Sequence, residues 1–292
     1  MKLFLSSLFL FVSFFFTAQN QASYDLSKPD LKLTLPDTLR EISGLTIIDD
    51  HTIACIQDEN GIVFFYDIAK NKVKRQFTFA TNGDYEGIAL AKDVLYILRS
   101  DGVLFEIDNF TSKKPQTKQY FTGIPAMNNE GLCYDKEHNR LLIGCKGKIN
   151  KDQFNKDKRF IYEFNLETKT LNKTPLMTYT QAMVNQFAKE HGIKFHSKVT
   201  KNGKIVEHGF KVNTSEITIH PKTGQLYMLS ASDHCLLLFN LNGTLEGIEQ
   251  LNPLLFNKAE GISFFENGDM LISNEGQSKK PTLLRFNYTQ HK

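Results

Sequence analysis

The sequence predicts an all-β fold, a five-bladed β-propeller built from four-stranded antiparallel blades. The first indication is a recurring phrase, a glutamate followed by small and apolar residues and then a hydrophobic strand, which begins at Glu41, Glu86, Glu130, Glu216 and Glu260. These glutamates are 45, 44, 86 and 44 residues apart, and a period in the mid-forties is the length of one four-stranded blade. The second indication is the content of 24 Phe and 10 Tyr, types that suit pleated, half-buried surfaces.

The segment before the propeller is typical of a secretory signal peptide. It has a basic start at Lys2, an apolar run over residues 3–16, and small and polar residues up to Ala22. The alternative interpretation is an uncleaved membrane anchor. The signal peptide is favoured because the run is shorter than the roughly 20 residues of a transmembrane helix. We therefore expect residues 1–22 to be removed and residues 23–292 to form one exported domain (periplasm, cell surface or secreted) without a transmembrane segment.

Each repeat reads as strands that run from the propeller axis outward. The first blade is predicted at residues 43–48, 52–57, 62–68 and 73–79, with a turn at 58–61. The second is predicted at 87–91, 94–98, 103–107 and 117–121. The third is predicted at 131–134, 140–145, 160–166 and 171–179, with a charged insertion at 148–158. The fourth is predicted at 217–220, 225–230, 235–241 and 245–251.

The fifth repeat is one strand short, with strands predicted only at 261–265, 269–273 and 282–287. An unassigned strand at residues 31–35, from the other end of the chain, is expected to complete this blade. Closing the ring in this way removes exposed strand edges.

The 86-residue step equals two periods and leaves a six-bladed propeller as the alternative. Residues 181–191 instead have apolar side chains at Met183, Val184, Phe187 and Ala188, which is helical spacing, and the segment ends at Gly192. Residues 198–212 alternate weakly around Asn202-Gly203, as in a hairpin. These patterns favour five blades with a helix–hairpin insertion at about 180–214.

The four cysteines, Cys55, Cys133, Cys145 and Cys235, each lie inside a predicted strand. Cys133 and Cys145 belong to neighbouring strands and could pair, although buried free thiols acting as small apolar groups are favoured. The formal net charge of +3 and the lack of a basic stripe interleaved with aromatic residues give no case for nucleic acid. No H-E-x-x-H, P-loop or G-x-S-x-G sequence occurs.

The repeated glutamates predict a ring of carboxylates around the channel. Ionised carboxylates at the axis repel one another unless their pKa values rise or a cation binds, and Ca²⁺ accepts 6–8 oxygen ligands. The alternative is that each carboxylate accepts backbone N–H groups of the neighbouring blade. Further candidate ligands or supporting residues are those just before the glutamates, together with one lysine: Asp84, Asn129, Ser215 and Lys146.

A second recurrence follows the second strand of each repeat, at Asp58, Ser100-Asp101, Lys146, residues 230–233 and residues 274–276. We expect these residues on the opposite face of the propeller or in blade-joining turns, where Asp, Asn, Ser and Gly are ordinary turn formers. Lys146 is the exception, because lysine has no special turn geometry.

Several phrases together resemble the SdiA-regulated family of exported bacterial propeller proteins. The similarity spans roughly residues 38–288 in order, and the phrases are Asp84-Tyr85-Glu86-Gly87-Ile88-Ala89, residues 95–102, Asn129-Glu130-Gly131-Leu132, Cys145-Lys146-Gly147, residues 215–221 and Ser273-Asn274-Glu275-Gly276. The resemblance implies a five-bladed propeller with a calcium site and no established reaction. It carries the calcium role to Glu86, Glu130, Glu216 and Glu260, and less closely to Glu41, which begins the looser phrase Glu-Ile-Ser-Gly. Glu216 is followed by Ile217 where glycine is commoner.

The leading functional expectation is a secreted, calcium-binding propeller that acts as a binding or interaction module. Its ligand, whether a small molecule, a glycan or a protein, is unknown from the sequence, and we expect a monomer. The alternative is a metal-dependent hydrolase, lactonase- or phosphoesterase-like, with its site at the channel mouth. There a metal would polarise a substrate oxygen and activate water, with Lys146 or Arg99 orienting an anionic substrate.

Overall fold

A computed structural model describes residues 23–149, 155–199 and 202–290. The predicted signal peptide, residues 1–22, lies outside these described residues, as does part of the charged insertion at 148–158. Among the residues that are described, no helix is both long and apolar enough to cross a membrane.

The chain folds into five antiparallel blades arranged in a ring, so five blades are confirmed over six. The chain begins with β1 (Leu31–Thr34) and a 3₁₀ turn (Asp37–Leu39). Blade 1 contains β2 (Ile42–Asp49), β3 (Thr52–Gln57), β4 (Ile62–Asp67) and β5 (Lys72–Thr78). Blade 2 contains β6 (Tyr85–Ala91), β7 (Val94–Arg99), β8 (Val103–Asp108) and β9 (Gln116–Phe121).

Blade 3 has a divided outer strand. It contains β10 (Asn129–Asp135), β11 (Arg140–Cys145) and β12 (Lys158–Asn165), and β12 pairs on its outer side with both β13 (Thr170–Leu171) and β14 (Met177–Thr180). The sequence predicted one strand over 171–179. Pro175 lies in the gap between the two pieces, and proline lacks the N–H that a continuous ladder needs.

The predicted insertion follows blade 3 and is confirmed. It contains α1 (Gln181–Glu190) and a hairpin of β15 (His196–Val199) and β16 (Ile205–His208). The hydroxyl of Thr180 caps the helix by accepting the Met183 N–H at 3.0 Å. Val184 and Ala188 are fully buried in the apolar core between blades 3 and 4, as the helical spacing predicted.

Blade 4 contains β17 (Glu216–Ile219), β18 (Leu226–Ser230), β19 (Cys235–Phe239) and β20 (Leu245–Gln250), with a 3₁₀ turn (Ala231–Asp233) after β18. Blade 5 contains β21 (Ala259–Phe264), β22 (Met270–Asn274) and β23 (Thr282–Phe286). Its fourth strand is β1, which pairs with β23 from Leu31 opposite Arg285 to Thr34 opposite Thr282. The predicted closure of the ring by both ends of the chain is therefore confirmed.

The hydrophobic core is divided into five clusters, one between each pair of neighbouring blades. The first strands of the blades lie side by side around the axis, β2 beside β6 and β21, and β10 beside β6 and β17. The four cysteines are buried and free, as the sequence favoured.

Candidate functional site

The candidate site lies at the end of the channel where each innermost strand begins, and we call this end the mouth. Because the first two strands of a blade are antiparallel, the start of the first strand and the end of the second meet at the same edge. Asn129 pairs with Cys145, for example, and Ala259 with Asn274. The prediction that the second recurrence lies on the opposite face is therefore wrong: Asp58, Lys146 and Glu275 stand beside the glutamates.

Three of the glutamates occupy β-bulges at the start of their strands. The pairing register shifts by one residue at Glu86, Glu130 and Glu260. A bulge inserts an extra residue and re-aims its side chain. Blade 1 has the same bulge, but Ser43 occupies it. The structural counterpart of the three glutamates in blade 1 is therefore Ser43, not Glu41.

Glu41 lies two positions farther up the chain than the repeat suggested. A backbone hydrogen bond that recurs in several blades shows this. In each case the N–H of the first residue after the second strand donates to the carbonyl oxygen of the residue two positions before the bulge. Asp58 donates to Glu41 in this way, as Lys146 donates to Asn128 and Glu275 to Lys258. Glu41 is thus the structural counterpart of Asn128 and Lys258, not of the glutamates in the bulges.

The glycine after each bulge allows the innermost strands to approach one another closely. A Cβ at Gly87 would lie 2.6 Å from the Leu132 Cβ and 2.8 Å from the Glu130 carbonyl oxygen of the next blade. A Cβ at Gly131 would lie 2.9 Å from the Ile217 side chain. The expected crowding at the axis is confirmed, and Ile217 occupies space that Gly131 leaves free.

Two lysines reach into the ring of carboxylates. The Lys146 Nζ lies 2.6 Å from the Glu130 Oε1. The Lys258 Nζ lies 2.6 Å from the Glu275 Oε1 and 3.3 Å from the Glu260 Oε1. Burial opposes the charged form of both lysines, but Glu130 raises the pKa of Lys146 and Glu275 with Glu260 raises that of Lys258. Both lysines therefore remain cationic.

The carboxyl groups nevertheless outnumber the ammonium groups. Burial and, to a smaller extent, the charges of Glu130 and Asp84 together raise the pKa of Glu86 to about 9. Burial also raises the pKa of Glu130 to about 8, against the opposing effect of Lys146. At Asp58, burial and the nearby Glu41 raise the pKa to about 6. The fold thus holds carboxyl groups that retain protons near neutral pH, which is the response expected of crowded, buried acids.

Glu216 differs from the other glutamates because β17 has no bulge. It pairs regularly with Leu229 and is 1 % exposed. Its Oε1 accepts the N–H of Leu132 in blade 3 at 2.6 Å and the N–H of Ile217 at 2.9 Å. Burial raises its pKa well above the ordinary value, although these two hydrogen bonds oppose the shift. This carboxyl group joins two blades, which is the alternative role that the sequence left open.

We expect Glu216→Gln to be nearly neutral and Glu216→Ala to destabilise the protein by about 2 kcal/mol. A glutamine oxygen can accept both N–H groups and resembles a protonated carboxyl, whereas alanine leaves the buried Leu132 N–H unpaired. Urea unfolding of the two variants measures the difference. An equal loss of stability in both would show that an ionised carboxylate is required at the axis.

The flanking residues take three different roles. Asp84 lies close enough to Glu86 and Asp58 to raise the pKa of both. The Asn129 amide links blades 3 and 2 by donating to the Ser100 carbonyl oxygen at 2.9 Å. The Ser215 hydroxyl accepts the N–H of Ala231 at 3.3 Å and stabilises a turn of its own blade.

Several buried oxygen atoms in this region have no hydrogen-bond donor among the described residues: Asp58 Oδ1, Asn129 Oδ1, Glu216 Oε2 and Asn274 Oδ1. Such oxygens are chemically suited to a hard cation. Within the described ranges, however, no group of three or more His, Cys, Asp or Glu side chains is arranged to hold a metal ion. Lys146 and Lys258 already neutralise part of the ring.

The opposite end of the channel forms a separate cavity of about 730 Å³. Apolar residues of the innermost strands, including Ile88, Leu132, Ile217 and Ile262, line it. Leu132, whose N–H donates to the Glu216 Oε1, is among them, so the Glu216 carboxyl lies close to this cavity.

Lys258, Glu275 and Asp58 are residues of the mouth that sequence reasoning did not assign to it. The signal was available, because Lys258 precedes Glu260 at the same offset as Asp84 precedes Glu86. Antiparallel pairing within each blade would also have placed Asp58 and Glu275 beside the glutamates.

No protein-family model matches the chain, and no curated protein matches it. Among solved structures, glutaminyl cyclase of Myxococcus xanthus is similar, with 15% identity and a TM-score of 0.55 over 91% of this chain and 97% of that chain. A streptogramin B lyase has 12% identity and a TM-score of 0.47 over 88% of this chain and 97% of that chain. A Bacteroides thetaiotaomicron protein of unknown function has 12% identity and a TM-score of 0.48 over 80% of this chain and 52% of that chain. At 15% identity, the likeness to the cyclase concerns the propeller fold alone.

Proposed function

We propose that this protein is an exported β-propeller binding module whose acidic channel mouth binds a divalent cation, Ca²⁺. The observation that carries the proposal is the imbalance of charge at the mouth. Among the described residues, seven carboxyl groups (Glu41, Asp58, Asp84, Glu86, Glu130, Glu260 and Glu275) surround two ammonium groups, and burial raises the pKa values of Asp58, Glu86, Glu130 and Glu275. The resemblance to the SdiA-regulated family, which implies a calcium site, supports the same proposal.

Glu86, Glu130 and Glu260 would hold the ion. They occupy equivalent bulges, and Glu86 has no lysine partner among the described residues. The bound ion would supply positive charge that neutralises the crowded acids. Lys146 and Lys258 compete for the same carboxylates, so the proposal requires an ammonium group to withdraw from Glu130 or Glu260 as the cation binds.

Calcium is expected to raise the melting temperature, and to raise it more at pH 8 than at pH 5. The pKa values of Glu86 and Glu130 are raised by folding, so their contribution to stability is present in full below about pH 4.5 and is lost as the pH rises through 8 to 9. A cation replaces the protons that leave, so its effect grows over that interval. Thermal melts in calcium and in chelator, at equal ionic strength and at both pH values, measure this.

Matched variants separate a specific site from general screening. Glu86→Gln should weaken calcium binding at least about tenfold, because a charged ligand is lost, and Lys146→Gln should strengthen it by removing a competing charge. Glu167→Gln changes an exposed carboxylate in the turn after β12 and should have no effect. A melting temperature that is indifferent to calcium at pH 8 would refute the proposal.

One observation favours the hydrolase as a second candidate. In this candidate Glu86 is not a ligand of the ion: a carboxyl group that keeps its proton at neutral pH, as Glu86 does with its pKa of about 9, can act as a general acid. A screen of lactone and phosphoester substrates with calcium present tests this candidate. Turnover that disappears in Glu86→Gln would favour the hydrolase, and the absence of turnover would leave the binding module.

A further inference from the structure

A second cavity, of about 480 Å³, lies beside the acidic mouth and is basic. The cationic residues that line it are Lys148, Lys156, Arg159 and Lys211. Among the described residues of the lining, Asp157 is the one acidic residue. Lys148 follows the mouth residue Lys146 by two positions, and the cavity residue Asn213 precedes Glu216 by three. The cavity therefore opens at the same end of the propeller as the mouth but carries the opposite charge.

Arg159 is the unusual residue of this cavity, because it is a buried cation whose hydrogen-bond partners among the described residues are all neutral. It is 3 % exposed. Its guanidinium donates to the Lys158 carbonyl oxygen at 3.0 Å, to the Lys211 carbonyl oxygen at 3.3 Å and to the Asn213 Oδ1 at 3.1 Å. No acidic side chain in the described ranges forms an ion pair with it.

The Arg159 Nε has no hydrogen-bond acceptor among the described residues. A buried charge without a counter-ion is costly, and an unused guanidinium donor adds to that cost. An anion in the cavity would remove both penalties. Among the described lining residues, three lysines and one buried guanidinium provide more positive charge than Asp157 balances.

We propose that this cavity is a binding site for a phosphate group, such as that of a phosphate monoester. Arginine presents N–H donors in a planar fork that matches phosphate oxygens, and lysines add charge around them. A phosphate monoester carries between one and two negative charges at neutral pH, which suits the excess of basic side chains better than a single carboxylate does. The Arg159 Nε–H would donate to a phosphate oxygen, with the Gln181 amide and the three lysines facing the same cavity.

The site is separate from the proposed cation site, so the two can be tested independently. Inorganic phosphate serves as the probe, titrated calorimetrically into the protein in a chelator-containing buffer at pH 7.5. Sodium chloride holds the ionic strength constant, and acetate replaces phosphate in a parallel titration. We expect saturable binding of phosphate at one site per chain, and markedly weaker binding of acetate.

Variants of exposed lysines test the location without disturbing the core. The double variant Lys148→Gln, Lys211→Gln should weaken phosphate binding at least about tenfold. Lys72→Gln is the matched control, because Lys72 is an exposed lysine on the outer strand of blade 1 and should bind phosphate as the unchanged protein does. Arg159→Lys keeps the charge but removes the planar guanidinium, and it should also weaken phosphate binding about tenfold. Its circular dichroism spectrum should match that of the unchanged protein, which shows that the variant is folded.

Three results would overturn the proposal. The first is a phosphate titration that shows no more heat than chloride at equal ionic strength. The second is acetate binding as tight as phosphate binding. The third is a lysine double variant that binds phosphate as well as Lys72→Gln does.

Discussion

Leu35→Asp is expected to lower the melting temperature by about 10 °C, which corresponds to about 4 kcal/mol. Leu35 follows β1, is 2 % exposed and packs with Leu39, Leu271 and Leu283 in the core between blades 5 and 1. Its N–H donates to the Pro281 carbonyl oxygen at 2.8 Å. A buried carboxylate there has no partner, so the substitution should release β1 and open the ring.

Lys32→Asp is the matched control for this prediction. Lys32 lies in β1 itself, but its side chain is exposed, so an aspartate there stays in water. Calorimetric melts of both variants measure the difference. If the two variants melted at the same temperature, the closure of the ring by β1 would not depend on the apolar anchor at Leu35.

Gly87→Ala is expected to destabilise the protein by about 3 kcal/mol. The added methyl group would lie 2.8 Å from the Glu130 carbonyl oxygen and 2.6 Å from the Leu132 Cβ. Both belong to the innermost strand of the next blade, which the neighbouring blades on either side hold in place. The strands at the axis would have to separate, and the electrostatic repulsion between Glu86 and Glu130 would change with them.

Gly247→Ala provides the comparison, because its Cβ would meet no atom closer than 3.7 Å, an ordinary van der Waals contact. It should be neutral or slightly stabilising, since alanine restricts the unfolded chain more than glycine does. Urea unfolding of both variants measures the two free energies. Equal midpoints would show that the axis has room to relax.

Much of the fold was predictable because its signals are local or periodic. The spacing of the glutamate phrase gave the length of one blade, and the helical spacing of Val184 and Ala188 then favoured five blades with an insertion over six blades. The missing strand of blade 5 could be matched to residues 31–35, because an unpaired strand edge would leave backbone N–H and C=O groups without partners. Pro175, which divides the outer strand of blade 3, is a local signal for the end of a strand, although the repeat pattern predicted one continuous strand there.

The candidate site was predictable only in part, because equal spacing in sequence does not guarantee equal placement in space. In blade 1, Ser43 and not Glu41 takes the position of the other glutamates, because the bulge, not the glutamate, is the repeated structural feature. Glu216 turns to the axis because β17 lacks that bulge. Lys258 and Glu275 lie together at the mouth because the first and second strands of blade 5 pair in an antiparallel way. This pairing joins residues that are distant in sequence, so the spacing of the repeat does not reveal it.

The sequence by itself determined the architecture of this protein: five repeats, one insertion and one strand shared between the two ends. Alternating apolar residues and turn residues specify each blade locally, and the period counts the blades. Only the tertiary structure decided the chemistry at the axis. Burial and neighbouring charges, including the ammonium groups of Lys146 and Lys258, set the pKa values of Glu86, Glu130 and Asp58. Most of these neighbours are distant in the chain. The same holds for Arg159, whose lack of an acidic partner among the described residues becomes visible only when the blades and the insertion are assembled.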